Sequence, residues 1–564
     1  MDVQRVILLS ALALITYLGF LQWNQDYNQP ASAPQEVTAP AVINGSTTSA
    51  DLPESASTES SSSSGDIPAA TDVSDSVPVT STQEAAASTS NQIRVQTDVL
   101  DLVIDSRGGD IVYAALLEHK DRITAYDPFV LLEQNANRTY VAQSGLVGRD
   151  GPDASADGRP VFQSSSTSYS LDDSESLNVD LKYTTDTGVS ITKRYTFDRG
   201  SYRIGLSYLI DNQSDAPFRS TLFGQLKRDQ SADPTSGTSM GMKSYLGAVF
   251  STDENNYQKV TFKDMSKANF NQTSQGGWVA FSQHYFVSAW VPQPDETHTY
   301  QTREVNDQFI AGFLSPAVEV MPGSSSEVSA KLYVGPKDQE QLEATAPNLK
   351  LTVDYGWLWW IAYPLYWLLT TIQSFVGNWG LAIIGITVVV KAALFKLNAK
   401  AFRSMAKMRK FGPEMMRMKE LYGDDRQKMS QEMMKLYKKE KINPLGGCLP
   451  IVAQMPVFIS LYWVLMESVE LRHAPFFLYI QDLSVMDPYF ILPILMGITM
   501  FLQQKLNPTP PDPMQAKIMK MLPIIFTFFF LWFPAGLVLY WLVNNILSIA
   551  QQWYITRQIE KEDG

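Results

Sequence analysis

Reactive side chains are scarce in this sequence. Its 564 residues include one cysteine, Cys448, which excludes an intrachain disulfide framework. The four histidines, His119, His284, His298 and His473, are scattered along the chain, which argues against a histidine-based active site. No P-loop, HExxH or GxGxxG motif occurs, so we expect no nucleotide site, no zinc-protease site and no cofactor.

Positive charge is also scarce outside one segment. The net charge is −13, and no Lys or Arg occurs between Arg5 and Arg94. Residues 391–441 contain fifteen basic and six acidic residues, a balance of +9, which leaves −22 for the rest of the chain. Basic loops stay on the cytoplasmic side of a membrane. If the neighbouring apolar segments span a membrane, residues 391–441 therefore belong inside the cell.

The first ninety residues divide into an apolar run and a polar stretch. The run at residues 6–21 fits either a signal peptide or a retained anchor, but the candidate cleavage site, residues 31–33, lies ten residues beyond it. Trp23 fits a membrane interface. We interpret residues 1–23 as an N-terminal transmembrane anchor. Residues 24–90 are rich in Ser, Thr, Ala and Pro, so we expect a disordered periplasmic linker whose only function is spacing.

Residues 91–345 have the pattern of a β-domain. The runs that predict strands are residues 99–105, 191–197, 202–210 and 277–292. The second and third of these runs flank Asp198-Arg199-Gly200, which predicts a hairpin. The fourth run is aromatic and β-branched, which predicts one buried strand. Many short strands with polar turns favour a periplasmic all-β sandwich, followed by a helix near residues 337–345.

After residue 354 the pattern becomes helical and apolar. Residues 354–378 crowd aromatics into their first half and polar residues into their second, which predicts an interfacial amphipathic helix on the periplasmic surface. The remaining predicted segments are a second transmembrane helix at 379–400, a cytoplasmic helical hairpin at 401–442, four transmembrane helices within 443–556 and a cytoplasmic tail at 557–564. This gives six transmembrane helices with both termini in the cytoplasm.

A lysine lies inside the predicted helix at 379–400. Residues 380–395 are apolar except Thr387 and Lys391, which are four residues apart and therefore share one helix face. Lys391 lies twelve residues after Trp379, about 18 Å along the helix, past the middle of a hydrocarbon core of about 30 Å. A lysine at that depth costs at least about 2.5 kcal/mol. It therefore either faces protein or water, or snorkels toward the cytoplasm.

The basic segment is also rich in methionine. Gly412-Pro413 and residues 423–425 predict breaks between its helices, because Pro suits a first helical turn and Asp is a good N-cap. Flexible thioethers suit varied apolar partners. The methionines therefore either contact substrates or pack the two helices of the hairpin against each other.

Several motifs resemble those of the YidC family of membrane protein insertases in its Gram-negative form. The motifs are NPLGGCLPIVAQ at 443–454, DYGWLW at 354–359, GNWG at 377–380, SMAK at 404–407, SQEMM at 430–434 and TFFFLWFPAGLVLY at 527–540. The resemblance is dense over residues 354–556 and thinner over 91–345. It implies a multi-span α-helical membrane protein of the inner membrane, with six transmembrane helices, a periplasmic β-sandwich domain and a cytoplasmic helical hairpin.

The resemblance also implies a hydrophilic substrate groove open to cytoplasm and lipid. Residues expected to line it are Lys391, Thr387, Gln454, Trp541, Asn544 and Asn545. The family commonly has arginine where this chain has Lys391, which keeps the charge but loses the guanidinium fork. It often has tyrosine where this chain has Trp541, which removes a hydroxyl. Lys391 would attract acidic residues of the substrate, whose apolar segment would pass into lipid at about 25 cal/mol per Å² of buried apolar area.

The function that the resemblance implies is insertion and folding of integral membrane proteins, without enzyme activity. The implied partners are nascent membrane proteins, the Sec translocase, the ribosome and membrane lipids, with no specific nucleic-acid sequence. Two other functions remain open from the residues alone. A transporter could use an intramembrane lysine, although no internal repeat occurs. A periplasmic sugar-modifying enzyme could use the β-domain, although a fold does not carry its activity with it.

Overall fold

The structure is a computed structural model. It describes residues 66–68, 92–123, 126–155, 158–235, 244–422, 425–440, 449–507 and 513–562. The expected anchor at 1–23, most of the expected linker at 24–90 and residues 443–448 of the NPLGGC motif lie outside the described residues.

Two β-sheets make up the first part of the described chain. The strands are β1 (Gln92–Gln96), β2 (Leu100–Asp105), β3 (Asp110–Lys120), β4 (Pro128–Gln134), β5 (Thr139–Val147), β6 (Gln163–Ser164), β7 (Ser168–Ser170), β8 (Ser176–Thr184), β9 (Val189–Asp198), β10 (Arg203–Asn212), β11 (Phe218–Arg228), β12 (Gly247–Ser251), β13 (Gln258–Val260), β14 (Asn271–Gln275), β15 (Trp278–Ser282), β16 (Phe286–Pro292), β17 (Thr297–Val305), β18 (Gln308–Val320) and β19 (Ser324–Pro336). The ten-stranded sheet has the order β14-β17-β18-β11-β5-β4-β3-β2-β1-β7, and the nine-stranded sheet has the order β13-β12-β15-β16-β19-β10-β9-β8-β6. The pairings between these strands are antiparallel except that of β1 with β7.

The two sheets share one apolar core. Buried side chains alternate with half-buried ones along β9 and β10, as expected for strands with one face toward a core. The indole Nε1 of Trp290 on β16 donates to the carbonyl of Gln225 on β11 at 3.1 Å, which joins one sheet to the other. The hairpin between β9 and β10 turns at Gly200, whose φ is +68°. The predicted β-rich domain is therefore confirmed.

Residues 277–292 differ from the prediction of one buried strand. They form two antiparallel strands, β15 and β16, joined by a turn at residues 283–285. The turn is closed by a hydrogen bond from Gln283 N to Phe286 O at 2.9 Å. His284 N donates to the Asp233 carboxylate at 2.7 Å. The sequence pattern hides this turn because both strands and the turn itself are buried.

The second part of the described chain is helical. Its helices, together with one short helix in the β-domain, are α1 (Phe262–Lys267), α2 (Gln339–Thr345), α3 (Trp359–Val376), α4 (Trp379–Ala393), α5 (Phe395–Lys410), α6 (Gly412–Tyr422), α7 (Arg426–Lys439), α8 (Leu449–Glu467), α9 (Ile491–Leu506), α10 (Pro513–Phe530) and α11 (Ala535–Glu562). Helix α11 contacts α4, α5, α8 and α9 and is the central element of this part. Helix α3 buries Leu365 and Leu369 and exposes Trp359, Trp360 and Trp367. Its position on the periplasmic surface of the membrane stays a prediction.

The segment predicted as one helix at 379–400 is divided in two. Helices α4 and α5 meet at Leu394 at an angle of 68°. Among the described residues, no single helix is long and apolar enough to cross a membrane, whereas α4 and α5 reach that length and hydropathy as a bent pair. The described helices therefore do not establish the expected count of six transmembrane helices, and that count stays a prediction.

The β-domain contacts the helical part through buried polar groups. The Nζ of Lys337, just after β19, lies 3.8 Å from the carboxylate of Glu467 at the end of α8, and both side chains are almost fully buried. Ser244 Oγ donates to the other oxygen of the Glu467 carboxylate at 2.7 Å. His284 Nε2 lies 2.8 Å from the carbonyl of Met466. These contacts attach the nine-stranded sheet to one end of α8.

Candidate functional site

Lys391 lies near the end of α4, where its side chain is buried among the helices. Its Nζ donates to the hydroxyl of Ser548 on α11 at 2.7 Å. No ion pair joins this ammonium group to an Asp or Glu of the described residues. A buried ammonium group with a hydroxyl partner and no carboxylate is costly.

Hydrogen bonds continue from Lys391 across three helices. Ser548 Oγ donates to the backbone carbonyl of Asn544 at 2.7 Å, one turn earlier on α11. Gln454 Nε2 on α8 donates to the Asn544 side-chain oxygen at 2.5 Å. The structure therefore brings together Lys391, Asn544 and Gln454, with Ser548 between the first two. We call these four residues the polar track.

The other three predicted residues lie beside the polar track without joining it. Thr387 is buried, but its hydroxyl donates to the carbonyl of Ile383 on the same helix at 2.6 Å. The side chain of Asn545 donates toward Thr499 on α9 at 3.4 Å. Adjacent residues of a helix point about 100° apart. Asn544 and Asn545 therefore face different neighbours.

Trp541 belongs to an aromatic cluster one turn before Asn544. Its ring meets Phe458 edge-to-face at a centroid distance of 4.5 Å and Phe530 at 5.2 Å. These contacts join α8, α10 and α11. Trp541 Nε1 is buried and has no hydrogen-bond partner among the described residues.

Further buried polar groups of the helical part lack hydrogen-bond partners within the described part of the chain. Among them are the Asn398 side-chain nitrogen on α5 and the Ser460 hydroxyl on α8. Buried polar groups are normally hydrogen-bonded, and water or a ligand often supplies the missing partner. The helical core therefore contains polar groups that packing among the described residues leaves unsatisfied.

Ser548 is the residue that the sequence analysis missed. It lies four residues after Asn544, which puts both on the same face of α11. That spacing was visible in the sequence. A serine in an apolar helix usually donates a hydrogen bond to the backbone of that helix, however. The sequence therefore does not indicate a partner on another helix.

The predicted hairpin is formed by α6 and α7. Asp425 caps α7 by accepting from Lys428 N at 3.0 Å. Met415 is buried, and Tyr437 on α7 donates to its sulfur at 3.4 Å. Met416 and Met434 are exposed. The methionines thus divide between packing the hairpin and forming an apolar surface on it.

Comparisons with known proteins agree with this architecture. The protein-family model of the YidC periplasmic domain matches residues 92–368, and the protein-family model of the 60Kd inner membrane protein matches residues 371–562. The chain is 57% identical to the membrane protein insertase YidC of Marinomonas sp. (strain MWYL1) over the full length of both. It is 56% identical to that of Stutzerimonas stutzeri (strain A1501), covering 99% of each.

A solved structure of an active YidC insertase, with its first transmembrane domain resolved, covers 83% of this chain and 93% of its own. Its TM-score is 0.38 and its identity is 16%. The full-length identities above 50% decide the assignment. The chain belongs to the YidC family of membrane protein insertases, an inner-membrane family with a periplasmic β-rich domain and a helical C-terminal part.

Proposed function

We propose that this chain inserts and folds integral membrane proteins in the inner membrane, and that it acts as an insertase and chaperone rather than as an enzyme. The observation that carries the proposal is the buried Lys391 with a hydroxyl partner and no carboxylate among the described residues. An acidic group of an incoming chain would supply the missing counter-charge. Charge attraction is stronger in a medium of low dielectric constant than in water.

The polar track would form the wall of a hydrophilic groove open to cytoplasm and lipid. Thr387, Trp541 and Asn545, which lie beside the polar track, would line the same groove. Polar side chains that retain water lower the cost of bringing a polar tail into the membrane. The apolar segment of the substrate would then pass sideways into lipid, which is favourable at about 25 cal/mol per Å².

The proposed partners follow from charge and exposed apolar surface. The basic residues of α5 to α7 would meet anionic lipid headgroups or ribosomal RNA without sequence preference. The exposed Met416 and Met434 would contact apolar segments of nascent chains. The Sec translocase is included as a further partner because the family resemblance implies it. In this arrangement the chain crosses the membrane six times, with both termini in the cytoplasm and the β-domain in the periplasm.

Substitution of Lys391 tests the proposal. In proteoliposomes, Lys391→Ala should reduce insertion of a single-span substrate with an acidic translocated tail by about fivefold, equivalent to roughly 1 kcal/mol. The same substrate with a neutral tail should insert nearly normally. Lys391→Arg should retain activity, because it keeps the charge.

Two outcomes would contradict this assignment of Lys391. Equal loss for acidic and neutral tails would make the lysine structural. Unchanged insertion of both substrates would mean that the lysine only snorkels. Ser374→Ala on α3 is the control, since its exposed hydroxyl donates only to the backbone carbonyl of Thr371 on the same helix.

A further inference from the structure

A short piece of the expected linker lies against the β-domain. Asp66 and Ile67 are half-buried and Pro68 is buried. The backbone carbonyl of Asp66 accepts from Gln225 Nε2 at 2.7 Å and from Arg303 Nη2 at 3.0 Å. Its carboxylate forms an ion pair with Lys227. Both β11 and β17 of the ten-stranded sheet therefore hold this segment.

The groups that bind Asp66 are held in place by one another. The Gln225 side chain is almost fully buried. Its oxygen accepts from Arg303 Nη2 at 2.7 Å, and its nitrogen donates to the Gln143 oxygen at 2.9 Å. Gln143 in turn donates to the Asp110 carboxylate at 3.0 Å. Side chains fixed in this way lose little entropy when a ligand binds, as in a preorganised binding site.

The site is basic and partly desolvated. Lys227 and Arg303 both face Asp66, and burial lowers the pKa of Arg303 while the Asp66 charge acts against that shift. Arg303 Nε is buried without a hydrogen-bond partner in the described part of the chain. An arginine and a lysine in such a position favour an acidic ligand, because charge-assisted hydrogen bonds are stronger than neutral ones.

The bound segment differs in composition from its surroundings. Asp66-Ile67-Pro68 follows a run of serines and a glycine and precedes two alanines. It combines a carboxylate, an aliphatic side chain and a proline. Proline restricts the free chain and so lowers the entropy lost on binding. A segment that served only as spacing would need none of these features.

We propose that Gln143, Gln225, Lys227 and Arg303 form a binding site for a short acidic peptide of the type Asp-aliphatic-Pro, and that residues 66–68 of this chain are its resident ligand. The segment then acts as a fixed attachment point within the linker. An attachment at Asp66 shortens the stretch of linker that separates the N-terminal segment from the β-domain. This inference does not depend on the insertase function.

Proteolysis of the full-length protein in detergent tests whether the segment is bound. An endoprotease that cleaves on the amino side of aspartate can attack the Gly65–Asp66 and Thr71–Asp72 bonds of the same molecule. Arg303→Gln should accelerate cleavage before Asp66 by about tenfold, the effect of losing roughly 1.4 kcal/mol of binding free energy. Cleavage before Asp72 should stay unchanged. Lys182→Gln, an exposed lysine on β8, is the control variant.

A peptide competition separates a binding site from local packing. The probe is a fluorescent peptide with the sequence of residues 63–71, and its binding to full-length variants is measured by anisotropy. Asp66→Lys places a positive charge against Lys227, so it should release the segment and raise peptide affinity at least about tenfold over the unsubstituted chain. Asp72→Lys should leave the affinity unchanged. Adding Arg303→Gln to Asp66→Lys should abolish binding.

Either of two results would overturn the proposal. The first is equal cleavage before Asp66 in the unsubstituted chain and in Arg303→Gln. The second is equal peptide affinity, or none, for the unsubstituted chain and for Asp66→Lys. A melting temperature close to that of the unsubstituted chain shows that each variant is folded.

Discussion

Ser548 connects the charge of Lys391 to the backbone of α11. Its hydroxyl accepts from the ammonium group and donates to Asn544, at 2.7 Å in both cases. Ser548→Ala leaves the ammonium group without this partner, and a hydrogen bond to a charged group contributes about 1.5–3 kcal/mol. We expect insertion of acidic-tailed substrates to fall several-fold, with neutral-tailed substrates little affected.

Ser548→Thr should retain activity, because it keeps the hydroxyl, and Ser374→Ala, at an exposed serine of α3, should behave like the unsubstituted chain. Insertion in proteoliposomes is the measurement. Loss of both substrate classes in Ser548→Ala would mean that the serine stabilises the fold rather than positions the lysine.

We expect His119 on β3 to make the stability of the protein depend on pH. Burial, with the nearby charges of Arg472 and His473, lowers its pKa to about 4, whereas an unfolded histidine has a pKa of about 6.5. Between these values the unfolded state binds a proton that the folded state does not. The free energy of unfolding should therefore keep its full value above about pH 6.5. It should decrease as the pH falls from there to about pH 4, by at most roughly 3 kcal/mol for this half-buried group.

The measurement is thermal unfolding of the full-length protein between pH 4 and 8. His119→Phe should flatten the profile in that window, because phenylalanine keeps the aromatic contact with Phe286 and takes up no proton. A profile with the same slope in both proteins would show that other groups dominate.

At the scale of elements, α9 and α10 approach each other at a glycine. A Cβ placed on Gly497 would lie 2.0 Å from Thr527 Oγ1, closer than side chains can approach. Gly497→Ala should therefore separate the two helices and destabilise the protein by about 1–3 kcal/mol, the usual cost of overpacking. Thermal unfolding and insertion are the measurements.

Two variants make this prediction specific. Gly412→Ala is the control, because no atom lies within 4 Å of the added Cβ. The double variant Gly497→Ala/Thr527→Ala should recover part of the loss, since it removes the colliding hydroxyl. A stable single variant would mean that the helices are free to adjust.

At the scale of the whole molecule, the Lys337–Glu467 pair attaches the β-domain to the helical part. Both side chains are nearly inaccessible, at 2% and 3% exposure. Glu467→Ala leaves a buried ammonium group without its counter-charge, which costs about 3–5 kcal/mol. We expect the melting temperature to fall and hydrogen exchange to increase around the turn at residues 283–285, where His284 contacts Met466.

Replacing both partners by apolar residues, Lys337→Met/Glu467→Leu, should restore most of the stability, since no charge is then left unpaired. Glu343→Ala breaks the exposed pair with Lys350 and should change stability by less than about 1 kcal/mol. If Glu467→Ala has no larger effect than this control, the buried pair does not hold the domains together.

Sequence patterns identified the elements better than the contacts between them. Strands β9 and β10 and the hairpin turn at residues 198–200 were predicted, because strand runs and a turn glycine leave local signals. The turn between β15 and β16 was missed because burial on all sides removes that signal. The bend at Leu394 was missed for a related reason, since apolar residues flank it on both sides.

The sequence by itself determined the division into a β-rich part and a helical part, where positive charge concentrates, and that Lys391 is the one charged residue of an apolar segment. These properties depend on neighbouring residues and on the period of the backbone. Only the tertiary structure decided that Lys391 binds Ser548, 157 residues away. It likewise decided that Asn544 rather than Asn545 joins Gln454, and that Asp66 lies on β11 and β17. Such pairings depend on how elements rotate and cross, because a hydrogen bond forms only within a few tenths of an ångström of its preferred distance.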